Sequence, residues 1–81
     1  MTSEPAVADE IDTCGLLCPL PVLKARKRLS ALAPGAVLAV RADDPAARID
    51  VPHFCAEQGH ALIETRDEPG GVLFFLIRNK G

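Results

Sequence analysis

An 81-residue chain has room for one domain and not for two. A formal charge of −2, with no Trp or Tyr and only three Phe, excludes a strongly basic nucleic-acid grip and an aromatic platform for stacking single-stranded bases. The hydrophobic share of 48% supplies a core, yet no apolar run approaches the roughly 20 residues of a membrane span.

In chain order, MTSEPAVADE is acidic and lacks the apolar stretch of a secretory signal, so a cytoplasmic protein is expected. Residues 1–9 are small and polar and predict a flexible arm, with a single domain over 10–81. Ile11 to Thr13 is a short strand candidate. Cys14-Gly15-Leu16-Leu17 is a loop in which Gly15 permits an unusual backbone angle. A helix is expected from Pro19, with Cys18 at the N-cap, Pro19 at N1 and Pro21 at N3. Proline fits there because first-turn N–H groups have no intrahelical acceptor. Val22, Ala25, Leu29 and Leu32 recur at helical spacing as one buried stripe, and Pro34-Gly35 ends the helix.

Val37 to Ala42 is apolar enough for a central strand. Asp44-Pro45 repeats the cap-then-proline start signal. Pro52 divides the next stretch and predicts a broken turn, then a helix through about Gln58 with Gly59 past its end. Ala61 to Arg66 and Val72 to Arg78 are two strands joined by the turn Asp67-Glu68-Pro69-Gly70-Gly71. The order β-α-β-α-β-β predicts an α/β (α+β) two-layer sandwich. It has a four-stranded mixed sheet with two helices on one face, since β-α-β crossovers are right-handed.

Chemistry concentrates in CGLLCPLPVLKARKRL, residues 14–29. The two prolines fix a helix start and hold the Cys18 side chain at the helix's positive end. Thiolate is the nucleophilic form, and helix N-termini lower a cysteine pKa into a range of roughly 3.5 to 7.5. Lys24 lies within two turns and adds positive potential. An inert structural cap is the alternative, but Ser, Thr, Asp or Asn serves that purpose better than Cys.

The stretch DTCGLLCPLPVLKARKRL resembles the signature of the TusA/SirA family of sulfur carriers, Gly-Leu-x-Cys-Pro-x-Pro, here Gly15-Leu16-Leu17-Cys18-Pro19-Leu20-Pro21. The resemblance continues through Pro34-Gly35, ADDPAARIDVPHFCAEQGH and the strand ending in Ile77-Arg78. It implies the sandwich already reached by pattern, as a TusA-like domain. It also implies that Cys18 accepts sulfane sulfur as a persulfide and hands it to a cysteine of an acceptor protein. The implied donor is a cysteine desulfurase or a rhodanese. Endpoints in the family include tRNA thiolation, molybdenum-cofactor synthesis and sulfur oxidation. Arg26 matches the Arg-Lys pair of the family's first helix and Asp44 its Asp-Pro turn. Both, with the nearby Lys24, are candidate partner contacts, and Asp44 is equally explained as a helix cap. Persulfide transfer is thiolate attack on a sulfur–sulfur bond and needs no general base if Cys18 is already ionised.

The chain carries three cysteines, an odd number. Cys14 departs from the family pattern. It is a small residue at a strand end, a resolving partner for Cys18 under oxidation, or a metal ligand with Cys18, Cys55, His53 and His60. No standard zinc spacing occurs, so no metal is expected. Cys55 reads as core, and His53 and His60 as surface or strand-entry positions with no link to Cys18. The basic cluster of Lys24, Arg26, Lys27 and Arg28 is a solvated face or a docking patch for an acidic partner.

Two functions from different classes follow. One is a persulfide carrier with donor and acceptor protein partners, without cofactor, direct nucleic-acid contact or membrane, and expected as a monomer. The other is a non-catalytic interaction or thiol redox-sensing module using Cys14 and Cys18. Whether the protein counts as an enzyme stays open. A sulfurtransferase-type carrier is favoured over an enzyme with its own small-molecule substrate, because so short a chain has little room for a deep pocket.

Overall fold

The computed structural model describes residues 6–80. The elements are β1 (Asp9–Asp12), α1 (Leu20–Ser30), β2 (Val37–Ala42), α2 (Ala47–Gln58), β3 (Ala61–Glu68) and β4 (Val72–Arg78). They form the β-α-β-α-β-β two-layer sandwich, with a four-stranded mixed sheet in the order β1-β2-β4-β3. β1 runs parallel to β2, as a crossover through α1 requires, and β2 and β3 both pair antiparallel with β4.

Strand alternation sorts the apolar side chains into two sets. Leu38, Val40 and Ala42 of β2 and Leu73, Phe75 and Ile77 of β4 face the helices. They pack with Ala25 and Leu29 of α1 and Ala47, Val51, Phe54 and Cys55 of α2. Both helices therefore cover one face. Fully burying each large apolar side chain contributes about 1.5–3 kcal/mol, so this cluster dominates stability. Val37, Ala39, Phe74 and Leu76 lie on the opposite face with Ile63. Among the described residues, no helix packs on this cluster. The guanidinium groups of Arg41 and Arg66 sit 4.7 and 4.3 Å from the Phe74 ring centroid, and Arg41 Nε donates to Glu68 Oε1 at 2.9 Å. Long charged side chains thus roof the second face with their apolar stems and cation–π contacts.

The register of β3 shifts between Leu62 and Glu64, leaving Ile63 opposite no partner. Leu62 joins the helix-side cluster and Ile63 packs on the other face by ordinary alternation, and the extra residue brings Glu64 rather than Ile63 opposite Leu76.

Several boundaries differ from the sequence expectation. Helix α1 begins one residue later. Leu20 N–H donates to Leu17 C=O at 2.9 Å in a turn, and the first bond of α-helical spacing runs from Leu23 N–H to Pro19 C=O at 3.1 Å. Pro19 is therefore the N-cap, Pro21 is N2 rather than N3, and Cys18 precedes the cap. The helix stops at Ser30 rather than reaching Pro34. Pro52 lies inside α2 and does not break it. Losing one helical bond costs about 3 kcal/mol, and the buried Val51, Phe54 and Cys55 on the same helix offset it. β1 starts at Asp9 and β3 extends to Glu68, which leaves Pro69–Gly71 as the hairpin turn. Of the arm expected over 1–9, residues 1–5 lie outside the described residues. Ala8 N–H bonds Val37 C=O at 2.8 Å, and Asp9 pairs with Leu38.

Among the described residues, no helix is long and apolar enough to cross a membrane.

Candidate functional site

The loop from Thr13 to Pro19 connects β1 to α1 and is held by the segment that follows β2. Thr13 anchors its start, with the backbone N–H and the hydroxyl both donating to Arg41 C=O at 2.7 and 2.6 Å. Gly15 adopts φ +90°, a conformation that disfavours a Cβ, and turns its N–H onto Asp43 Oδ1 at 2.9 Å. Cys18 N–H donates to Asp44 Oδ2 at 2.7 Å. The Asp44 Oδ1 accepts from Ala46 N–H at 3.0 Å, so one carboxylate serves both the cysteine loop and the start of α2. Those backbone bonds hold the Asp44 carboxyl below the usual carboxylate range. The Cys18–Pro19 peptide is cis.

Placed this way, Cys18 is exposed and stands at a cleft of about 260 Å³ between α1 and α2. Pro19, Val22 and Leu23 line the α1 side, and Asp50, His53 and Phe54 line the α2 side. The Cys18 Sγ–H donates to Asp50 Oδ2 at 2.7 Å. This overturns one expectation: the thiol pKa is raised above its ordinary 9.0, not lowered. The Asp50 hydrogen bond is the main cause, followed by partial burial and the negative charges of Asp50 and Asp44. The helix N-terminus does not prevail because Cys18 lies outside the cap and its nearest charged groups are acidic.

The other thiols differ in kind. Cys14 is half-buried, and its pKa is pushed up to about 11 by burial and by its hydrogen bond to Asp12, with Asp12 and Asp43 charges adding and Arg41 opposing. Cys55 is buried in the core, which alone pushes it to about 11. All three cysteines are unpaired.

The remaining candidates fall in separate places. Arg26 lines the Cys18 cleft and a neighbouring groove that also holds His60 and Lys80. Lys24 does not border the Cys18 cleft; it lines a groove with Ile11, Lys27 and Arg28 on another side of α1. His60 is half-buried against Phe54, its Nδ1 accepting from Lys80 N–H at 3.1 Å, and burial lowers its pKa. His53 is exposed, as expected; it lines the Cys18 cleft, but its ion-pair partner is Glu57 at 3.6 Å and not Cys18. Asp50 is absent from the sequence candidates because the expected break at Pro52 separates it from His53. On a continuous helix their three-residue spacing puts both on one face.

The site is thus an exposed thiol at an interhelical cleft of a two-layer sandwich. Residues 9–79 match the family described as Sulfurtransferase TusA. The Sulfur carrier protein TusA of Pseudomonas aeruginosa is 44% identical over 70 residues, which is 86% of this chain and 87% of that protein. Its namesake from Allochromatium vinosum is 45% identical over 69 residues, 85% of this chain and 90% of the relative. The crystal structure of a SirA-like protein from Desulfitobacterium hafniense aligns with a TM-score of 0.80 at 28% identity, covering 90% of this chain and 99% of the other. The chain belongs to the TusA family.

Proposed function

We propose that this protein is a sulfur carrier that takes up sulfane sulfur as a persulfide on Cys18 and passes it to an acceptor protein. The observation that carries the proposal is the placement of Cys18: exposed, at the mouth of a cleft, on a loop pinned by Asp43 and Asp44. In loading, the Cys18 sulfur bonds to the terminal sulfur of a donor persulfide, the donor's own sulfur–sulfur bond breaks, and the donor cysteine leaves with the proton lost by Cys18. Unloading is the same exchange with the acceptor cysteine as the attacking group. No net oxidation occurs in either direction.

The donor is a cysteine desulfurase or a rhodanese in a reducing cytosol, and the partner that docks decides the endpoint. Pro19 and Pro21 set the start of α1 beside the thiol. Arg26 lies on the cleft wall, where an arriving partner meets it. Asp44 acts on the loop rather than on a partner, and Lys24 contacts a partner only if the interface reaches its separate groove. The environment of Cys14 weighs against the redox-module alternative, because a thiol pushed up to about 11 has little thiolate with which to attack Cys18 at neutral pH.

The test is an intact mass of the reduced protein after incubation with a cysteine desulfurase and cysteine, and separately with a rhodanese and thiosulfate. A gain of about 32 mass units that dithiothreitol removes is the expected result. Cys18→Ser is expected to abolish it. A loss of two hydrogens through a Cys14–Cys18 disulfide, with no gain of sulfur from either donor, would replace the carrier with the redox module.

A further inference from the structure

The carrier chemistry needs a sulfur nucleophile, yet the Cys18 sulfur is bonded to a carboxylate. Sγ–H donates to Asp50 Oδ2 at 2.7 Å. Asp50 belongs to the first turn of α2, and its own N–H is fixed on Ala46 C=O at 2.9 Å. The charged groups facing the sulfur come from three elements. The segment before α2 gives Asp44, bonded to the Cys18 N–H. Helix α2 gives Asp50, with His53 and Glu57 paired to each other further along the cleft. Helix α1 gives Arg26 on the opposite wall. The two groups that bond Cys18 are both acidic.

A carboxylate can only accept a hydrogen bond, so it favours a sulfur that keeps its proton and opposes one that carries charge. A persulfide is more acidic than the parent thiol and is an anion at neutral pH. The same oxygen that steadies the empty carrier therefore repels the loaded one.

We propose that Asp50 guards Cys18: it holds the empty carrier as a slow-reacting thiol, turns the anionic persulfide outward into the cleft, and makes sulfur uptake depend on a partner that brings a cationic group to Asp50. The inference rests on the carrier function proposed above. During uptake the proton on Sγ leaves Asp50 and ends on the donor's departing thiolate as the new sulfur–sulfur bond forms and the old one breaks. Asp50 gains and loses nothing over the cycle. It acts through its charge and its hydrogen bond, and a neutral side chain of the same shape removes the charge while retaining a polar contact.

The experiment measures alkylation of Cys18 by iodoacetamide against pH, read by peptide mass, in the wild type and in Asp50→Asn. No sulfur donor is present. The variant's midpoint is expected to move to lower pH, and alkylation at neutral pH is expected to become several-fold faster, the gain in thiolate being partly offset by its lower nucleophilicity. A purely structural role would not lower that midpoint. Superimposable profiles, or a midpoint moved upward, would overturn the proposal. If Asp50→Asn fails to fold by circular dichroism, Asp50→Ser is held to the same criterion. Because alkylation requires no persulfide, a negative result here is separate from failure of sulfur loading, which Cys18→Ser tests.

Discussion

At the scale of single residues, three cysteines share a chain and have three environments. Cys18 is exposed with an acidic neighbour, Cys14 is half-buried over Asp12, and Cys55 is sealed in the core. Cys14→Ser is therefore expected to leave sulfur loading intact, as read by the same gain in mass that Cys18→Ser loses. Asp44 has two bonds to backbone, one to each side of the site. Asp44→Ala is expected to lower the urea midpoint and to loosen the Cys18 loop, seen as faster amide exchange at Cys18. The Asp44 carboxyl titrates below its ordinary 3.8, so the stability it supplies is complete above that value and declines as pH falls through the lowered folded-state pKa. Cys18 itself was legible, since the prolines and the Gly-Leu-x-Cys-Pro-x-Pro pattern single it out. Its partner Asp50 was not. Nothing local marks one aspartate among the acids of that region until α2 is known to run unbroken through Pro52.

At the scale of elements, the ends of the helices are where the sequence pattern and the structure part. Apolar runs and turn residues placed β2 and β4 at their observed bounds, because burial on both faces leaves an uninterrupted signal. The end of α1 offers no such signal. One carbonyl of its last turn and two of the segment that follows are met by a side chain from the far end of the chain. Asn79, itself buried, donates through Nδ2 to the carbonyls of Leu29, Leu32 and Ala33 at 3.1, 2.9 and 3.2 Å. Two hydrogens serve three acceptors, so the bonds are shared. Asn79→Ala is expected to cost about 1–3 kcal/mol by urea denaturation, because Leu32 C=O loses its donor, while Leu29 and Ala33 C=O keep bonds from Leu32 and Ala36 N–H at 3.0 and 3.1 Å. Gly59, by contrast, was legible as the residue ending α2. It adopts φ +79°, and an added Cβ would meet Lys80 Cδ at 3.4 Å. Gly59→Ala is expected to cost about 1 kcal/mol in the same assay.

At the scale of the whole molecule, the topology followed from element order and crossover handedness, whereas the second face of the sheet did not. Its covering depends on Arg41 and Arg66 meeting Phe74 from different strands, a three-way meeting that no single stretch of sequence encodes. The molecule also has a defined alkaline limit. Cys14 and Cys55 ionise at about 11 when folded against an ordinary 9.0. The raised folded-state values mean that the unfolded chain loses those protons first. The stability that these two protonated thiols supply is therefore complete below about pH 9 and falls as pH rises toward 11. Urea midpoints measured across that interval are expected to decline, and Cys55→Ala, which removes the buried thiol, is expected to decline less steeply.

The three bonds that shape the cysteine's surroundings all span a long stretch of chain, with Gly15, Cys18 N–H and Cys18 Sγ reaching partners 28, 26 and 32 residues onward. None of them exists in a nascent chain that has emerged only as far as the first helix. During synthesis, then, this protein passes through a stage in which its cysteine is an ordinary solvent-facing thiol, open to any oxidant in the cell. Its distinctive chemistry arrives late, with the docking of the second helix. The thiol's temper is thus a gauge of whether the rest of the molecule has been finished.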